Sequence, residues 1–196
     1  MKRTGPPKAA WERKCPICGE RFKPFQSTQK TCTNPKCAIE KGRADEKRRK
    51  DRELRQRKER LKTRNEHLKE AQKAFNWYIR ERDHDKECIS CGTFTPGGDS
   101  RGGVWDCGHY RSTGACPELR FEPLNAHKQC KNCNRDKSGN VVEYRLRLRE
   151  RIGDENLAWL ESEHEPKKWT VDDLKEIKHH YRALAREEQR KRSGQQ

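Results

Sequence analysis

The sequence predicts a small α+β protein held together by metal rather than by one large core. Three observations carry this. Of 196 residues, 40% are charged and only 29% are hydrophobic, too little apolar surface to offset the entropy of ordering the whole chain around a single core. Eight of the ten cysteines fall in four close pairs: Cys15/Cys18, Cys32/Cys37, Cys88/Cys91 and Cys130/Cys133. Small modules with weak cores are commonly stapled in this way. Between and after the pairs, helical stretches frame two short apolar runs. The expected order is an N-terminal four-cysteine zinc finger, a long charged helix, a treble-clef module of two strands and a helix, and C-terminal helices.

The net charge is +16, a field that attracts polyanions, nucleic acid first among them. No apolar run is long enough to span a bilayer, and no signal peptide is visible. The expectation is therefore a soluble, cytoplasmic protein with no membrane partner. Without a secretory signal, close cysteine pairs read as zinc ligands rather than as disulfides.

Residues 1–13 are basic, contain Gly-Pro-Pro, and are expected to be disordered. Residues 14–39 form the first module, where Cys15, Cys18, Cys32 and Cys37 can supply four tetrahedral sulfurs to structural zinc. Residues 40–83 read as one long helix beginning near Ile39, with no proline. Acid-then-base pairs at i,i+4 recur in it: Asp45/Arg49, Glu46/Lys50, Asp51/Arg55 and Glu53/Arg57. Leu54, Leu61, Leu68 and Phe75 repeat every seven residues, but polar residues at the other heptad position argue against a coiled coil. Residues 41–64 hold 13 Lys/Arg against 5 Asp/Glu. Arg48, Arg49, Lys50, Arg55, Arg57 and Lys58 are the expected phosphate contacts on this arm, with a merely solvated charged face as the plain alternative.

Residues 84–153 form the second module. "FNWYI" supplies apolar anchors where the helix docks. "VWDCGHY" and "LRFEPL" read as two short strands. Asn140 with Glu143 reads as a capping box for a helix that Gly153 ends. Residues 154–190 are two further helices, the second opened by Thr170 and Asp173 and carrying a core stripe of Leu174, Ile177, Tyr181 and Leu184. Residues 191–196 are expected to fray.

Cys88, Cys91, Cys130 and Cys133 enclose 38 residues and can share a second structural zinc if the intervening chain returns as a hairpin. Such an ion, with all four positions filled, does no chemistry. Inside the segment, His109 closes the first strand, Asn125 follows 16 residues later, and Asn134 follows the last cysteine. Phosphodiester hydrolysis needs a base for water, which His109 suits near neutral pH. It needs that base held still, and an Asn side chain can grip a short hairpin. It needs a cation on the phosphate, to which Asn134 can offer an oxygen. The plainer readings are a zinc-ligand His109, a helix-capping Asn134 and a packed His127. Cys107 and Cys116 are left over as free thiols near the site, or as substitutes in a knuckle. Lys137 and Arg111 are candidate phosphate contacts.

"GHY…PLN…QCKNCNRDK" resembles the His-Asn-His (HNH) nucleases in their zinc-bearing ββα-metal form. With the N-terminal finger, the basic helix, "GHYRSTGACPELRF", "SGNVVEYR" and "IGDENLAWLE", nearly the whole chain resembles the lambdoid phage NinG (Rap) recombination nucleases. That resemblance implies a structure-specific endonuclease for D-loops and Holliday junctions, using Mg²⁺ or Mn²⁺ and acting on branched double-stranded DNA, with a homodimer favoured by symmetric cutting. His109 then matches the general base, Asn125 the central Asn, and Asn134 the last His and a ligand of the catalytic ion. The chain departs from the pattern at Gly108, where many members carry an Asp that helps bind metal; Asp106 and His127 are the candidates to compensate. A non-catalytic zinc-finger adaptor is the competing reading, and an RNA-directed role the weaker third.

Overall fold

The computed structural model describes residues 12–94 and 104–194. Most of the expected N-terminal tail, the glycine-rich segment 95–103 and the last two residues lie outside them. The chain divides into two compact units, Met1–Lys62 and Thr63–Gln196. Among the described residues no helix is long and apolar enough to cross a membrane.

In the first unit, strands β1 (Arg13–Lys14) and β2 (Arg21–Phe22) pair antiparallel around the Cys15–Cys18 turn. Arg13 thus belongs to the finger rather than to a tail. Helix α1 (Pro35–Arg60) starts earlier than the expected residue 40. The signal was present in "CTNPKC". Asn34 caps the helix by accepting from the Lys36 N–H at 2.9 Å, and Pro35 occupies the first turn, where its missing N–H costs nothing. Cys37 therefore sits in that first turn and is the buried residue of a helix otherwise given to solvent. Of the expected pairs, Glu46–Lys50 forms at 2.9 Å, whereas Asp45 is taken by Lys41 and Glu53 lies nearer Arg49.

The expected single helix over 40–83 is two helices. α1 ends in a basic turn at Arg60, and α2 (Arg64–Arg82) starts from Thr63, whose side chain caps the Glu66 N–H while Glu66 accepts from the Thr63 N–H. This reciprocal box satisfies two helix-end donors and favours a new start over continuation. The seven-residue repeat divides accordingly. Leu54 and Leu61 are 51% and 71% exposed, while Phe75 is buried.

The second unit is layered. α2 lies along α4 (Val171–Ser193), which opens with the expected Thr170/Asp173 capping box and runs past residue 190. Their seam holds Leu174 and Tyr181, the latter edge-on to Phe75 at 4.8 Å between ring centres. The expected stripe is thus core, with Ile177 and Leu184 against it. Strands β3 (Trp105–His109) and β4 (Ala126–Cys130) pair antiparallel, His109 opposite Ala126 and Trp105 opposite Cys130. Cys107, His109 and Ala126 face α2; on the other side, Tyr144 of α3 (Val141–Glu161) donates to the Gly108 carbonyl at 3.1 Å.

The expected strand over "LRFEPL" is not one. Pro117 and Pro123 each open a short 3-10 turn, Pro117–Phe121 and Pro123–Asn125, because proline cannot donate to a ladder but suits a first helical position. The second strand is "AHKQC", so Asn125 precedes it instead of following it. The second knuckle does not lead directly into a helix either. A five-residue π turn, Asn132–Asp136, comes first, then left-handed residues Ser138, Gly139 and Asn140. Asn140 at φ 46° makes no side-chain cap; its amide reaches the Cys133 sulfur instead. α3 bends at Gly153 (φ 83°), the expected stop, before the short helical stretch that follows.

One buried ion pair joins the layers. Arg82 donates twice to Asp83, at 2.9 and 2.7 Å, and also to the carbonyls of Pro123 and Ala126. Asp83 accepts in addition from Lys86 and from the Lys128 N–H. This node fixes the end of α2 to the start of β4.

Candidate functional site

Each unit carries one cysteine cluster. Cys15, Cys18, Cys32 and Cys37 form the first, and Cys88, Cys91, Cys130 and Cys133 the second; within each, the sulfurs lie within 4.8 Å of one another. Tetrahedral zinc with bonds of about 2.3 Å requires sulfurs ~3.8 Å apart. The Cys18–Cys32 and Cys91–Cys130 separations are 3.7 and 3.8 Å. Both donor sets therefore fit structural zinc.

The two leading knuckles, "CPICGE" and "CISCGT", share one backbone design. The glycine after the second cysteine has φ of 78° at Gly19 and 69° at Gly92, a conformation glycine adopts without strain. Its N–H donates to the first cysteine's carbonyl at 2.9 Å in both. The shared Cys-x-x-Cys-Gly is a short repeat legible in the sequence itself. In the second cluster, backbone N–H groups of Cys130 and Cys133 donate to the sulfurs of Cys88 and Cys130, which favours thiolates. Ile89 donates to the Lys128 carbonyl, so this cluster pins the open end of the β3–β4 hairpin.

At the other end of the hairpin lie His109 and Asn125. Asn125 is fully buried, and both ends of its amide are used. Nδ2 donates to the carbonyls of Arg111 and Leu119 at 3.0 and 3.1 Å, and Oδ1 accepts from the Arg111 N–H at 2.8 Å. Its carbonyl accepts from the Tyr110 N–H. It clamps the chain leaving β3 one residue beyond His109. The His109 ring lies 5.8 Å from that of Phe75, and its Nε2 is 3.0 Å from the Arg120 carbonyl. A carbonyl only accepts, so Nε2 carries the proton and Nδ1 the lone pair. Burial holds the ring's pKa below the ordinary histidine value, opposed by the bond to Arg120.

Asn134 does not join this pair. Side chains alternate across a strand, so Asp106 and Gly108 face away from His109. Asn134 donates to Asp106 at 3.0 Å on that opposite side. Arg135 donates to both Asp106 oxygens, at 2.7 and 2.9 Å. Burial raises the Asp106 pKa, but Arg135 and Asn134 outweigh it and hold the carboxyl below its usual range. With its oxygens engaged by an arginine and its position across the sheet, this pair does not fit a divalent ion serving His109. Nor does Asn134 cap a helix, since α3 begins only at Val141.

Gly108 has a physical reason. A Cβ there would lie 2.1 Å from Oε1 of buried Gln129, whose Nε2 is tied to Ser90 Oγ and the Gly139 carbonyl at 2.7 and 2.6 Å. Any side chain at 108, a metal-binding Asp included, would collide. His127 is buried against Tyr144, Nδ1 to Oη 3.2 Å, and burial chiefly, with Arg82 next, lowers its pKa to about 3. It is placed as packing rather than as a replacement ligand. Cys107 and Cys116 are buried in two different apolar clusters.

Arg48, Arg49, Lys50, Arg55, Arg57 and Lys58 are exposed along α1, and Lys137 is exposed after the π turn. Arg111 instead reaches the carbonyls of Leu160 and Glu161. The sequence reading passed over Gln129 and the Arg82–Asp83 node; adjacent opposite charges at a helix end were the only signal for the latter.

Fold and clusters together define a small mixed α/β protein with two cysteine clusters suited to structural zinc. It belongs to the NinG family: the model described as Bacteriophage Lambda NinG protein matches residues 7–191. Protein ninG of Escherichia phage 933W is 42% identical over 199 residues, covering 92% of this chain and 96% of that protein. Protein ninG of Escherichia phage lambda is 47% identical over 140 residues, 71% of this chain and 66% of that protein. Protein ninG of Salmonella phage P22 is 50% identical over 128 residues, 65% and 60% of the two chains. No solved structure matches.

Proposed function

We propose that this protein is an endonuclease that nicks branched DNA during phage recombination, with a module of HNH, treble-clef type as its catalytic part. The observation that carries the reading is the Asn125 clamp, which fixes the backbone at Arg111, two residues after His109. A neutral histidine held at a strand end by a buried Asn is the arrangement a general base for water requires. His109 takes the proton on Nδ1, the nitrogen not committed to Arg120. Exposed arginines and lysines of α1 hold DNA arms through phosphates, a grip that weakens with salt and is indifferent to sequence. The two zinc ions would be structural. Asp106 and Asn134, bonded to each other and to Arg135 across the sheet, do not fit a catalytic Mg²⁺ or Mn²⁺ serving His109.

The adaptor reading has its own observation. Gln129 fills the space a metal-binding side chain at 108 would need, as expected of a module that only binds. Incubating zinc-loaded protein with labelled four-way junctions, D-loops and matched linear duplexes, with Mg²⁺ or Mn²⁺ added, separates the two. Branch-selective nicks support the nuclease. Tight binding without product under either ion leaves the adaptor.

A further inference from the structure

A second cationic surface lies in the second unit, built by α2 and α4. Glu70, Lys73, Ala74, Trp77, Arg80 and Arg182 line a cleft of about 300 Å³, at the small end of the range that holds a nucleotide-sized ligand. The α2 members fall at spacings of three and four residues, so they share one helix face. Its acids are spoken for. Glu70 is bonded to Lys178 at 2.7 Å, and neighbouring Glu81 accepts from Gln189 and pairs with Arg192. Among the described residues no acid pairs with Lys73, Arg80 or Arg182. The Trp77 indole N–H donates to Glu81 at 3.0 Å, which anchors an aromatic surface beside three uncompensated cations.

A solvated basic helix face has no use for a fixed tryptophan, and a duplex backbone contact needs cations alone. An aromatic ring within a basic groove suits an unstacked base together with its phosphates, the chemistry by which single strands are held without sequence preference. We propose that this cleft binds an unpaired DNA strand, with Trp77 stacking on a base and Lys73, Arg80 and Arg182 holding the flanking phosphates. The inference rests on the reading of the protein as one that acts on branched DNA, whose branch points expose such strands.

The test is binding by the zinc-loaded full chain, without added divalent ion, to a labelled oligo-dT and to a duplex of equal length. Trp77→Ala should weaken oligo-dT binding about tenfold and duplex binding less than twofold. Trp77→Phe keeps a ring and should stay within a fewfold of wild type, which guards against a folding defect. Lys73→Gln with Arg182→Gln should flatten the salt dependence of oligo-dT binding. Unchanged oligo-dT binding in Trp77→Ala overturns the proposal, as does an equal loss on both DNAs in Trp77→Ala and Trp77→Phe. Junction cleavage is scored separately. A wild type that never cleaves but binds oligo-dT through Trp77 sinks the nuclease alone, and one that cleaves without Trp77-dependent binding sinks this inference alone.

Discussion

Three residues of the β3–β4 hairpin do jobs that their types alone explain. Asn125 has both a donor and an acceptor to give, and it uses both on Arg111. Gly108 has no side chain because Gln129 occupies the place where one would begin. His109 sits two residues before the clamped Arg111, with its proton fixed on Nε2 by the Arg120 carbonyl. Gly108→Ala should destabilise the second unit by about 1–3 kcal/mol, the usual cost of overpacking a tight site; a urea midpoint equal to wild type would show that Gln129 can move aside. These placements mark the limit of residue-level sequence reading. Spacing brought His109 and Asn125 to one end of the hairpin, since both bracket a strand terminus. It failed for Asn134, because strand alternation turns Asp106 and its partner to the opposite face, and "LRFEPL" gave no register to reveal this.

At the scale of elements, local chemistry outweighed propensity. The charge pattern favoured one helix through residues 40–83, but Thr63 and Glu66 form a capping box and start a new one. Thr63→Ala should cost about 1 kcal/mol by removal of that cap and be visible as a lower thermal midpoint; no change would mean the break is set by packing alone. The two 3-10 turns follow from Pro117 and Pro123, and both were readable once proline's missing donor was weighed above the apolar pattern. The knuckles were the most legible elements, because a tetrahedral four-sulfur site depends on cysteine spacing more than on surrounding residues. Cys130→Ser should reduce bound zinc from two equivalents to one by elemental analysis. Retention of two would assign the fourth ligand elsewhere.

At the scale of the molecule, stability at low pH is set by groups the fold keeps from their ordinary titration. His127 is lowered to about 3 and His109 is lowered as well, both chiefly by burial. In the unfolded chain each takes a proton near ~6.5. Their contribution is complete above that value and is lost as pH falls toward the folded pKa, by about 1.4 kcal/mol per pH unit for each histidine. Asp83, against Arg82, lies well below the ordinary carboxylate range despite its burial. Its contribution is present above ~3.9 and lost on further acidification. The urea midpoint should therefore drop between pH 7.5 and 5.5, and His127→Leu should flatten that drop. A midpoint constant across this range would contradict the placement of both rings.

The role proposed for His109, held by Asn125, is that of the base in a DNA-cutting site. The most direct measurement is the nicking of a labelled four-way junction at saturating protein by wild type and His109→Ala, with binding followed in the same samples. Wild type should nick the junction, and the variant should lose 100-fold or more of that activity, on the order of the contribution of a positioned general base, with binding unchanged. Equal cleavage by both proteins, or binding by both with no product, would contradict it.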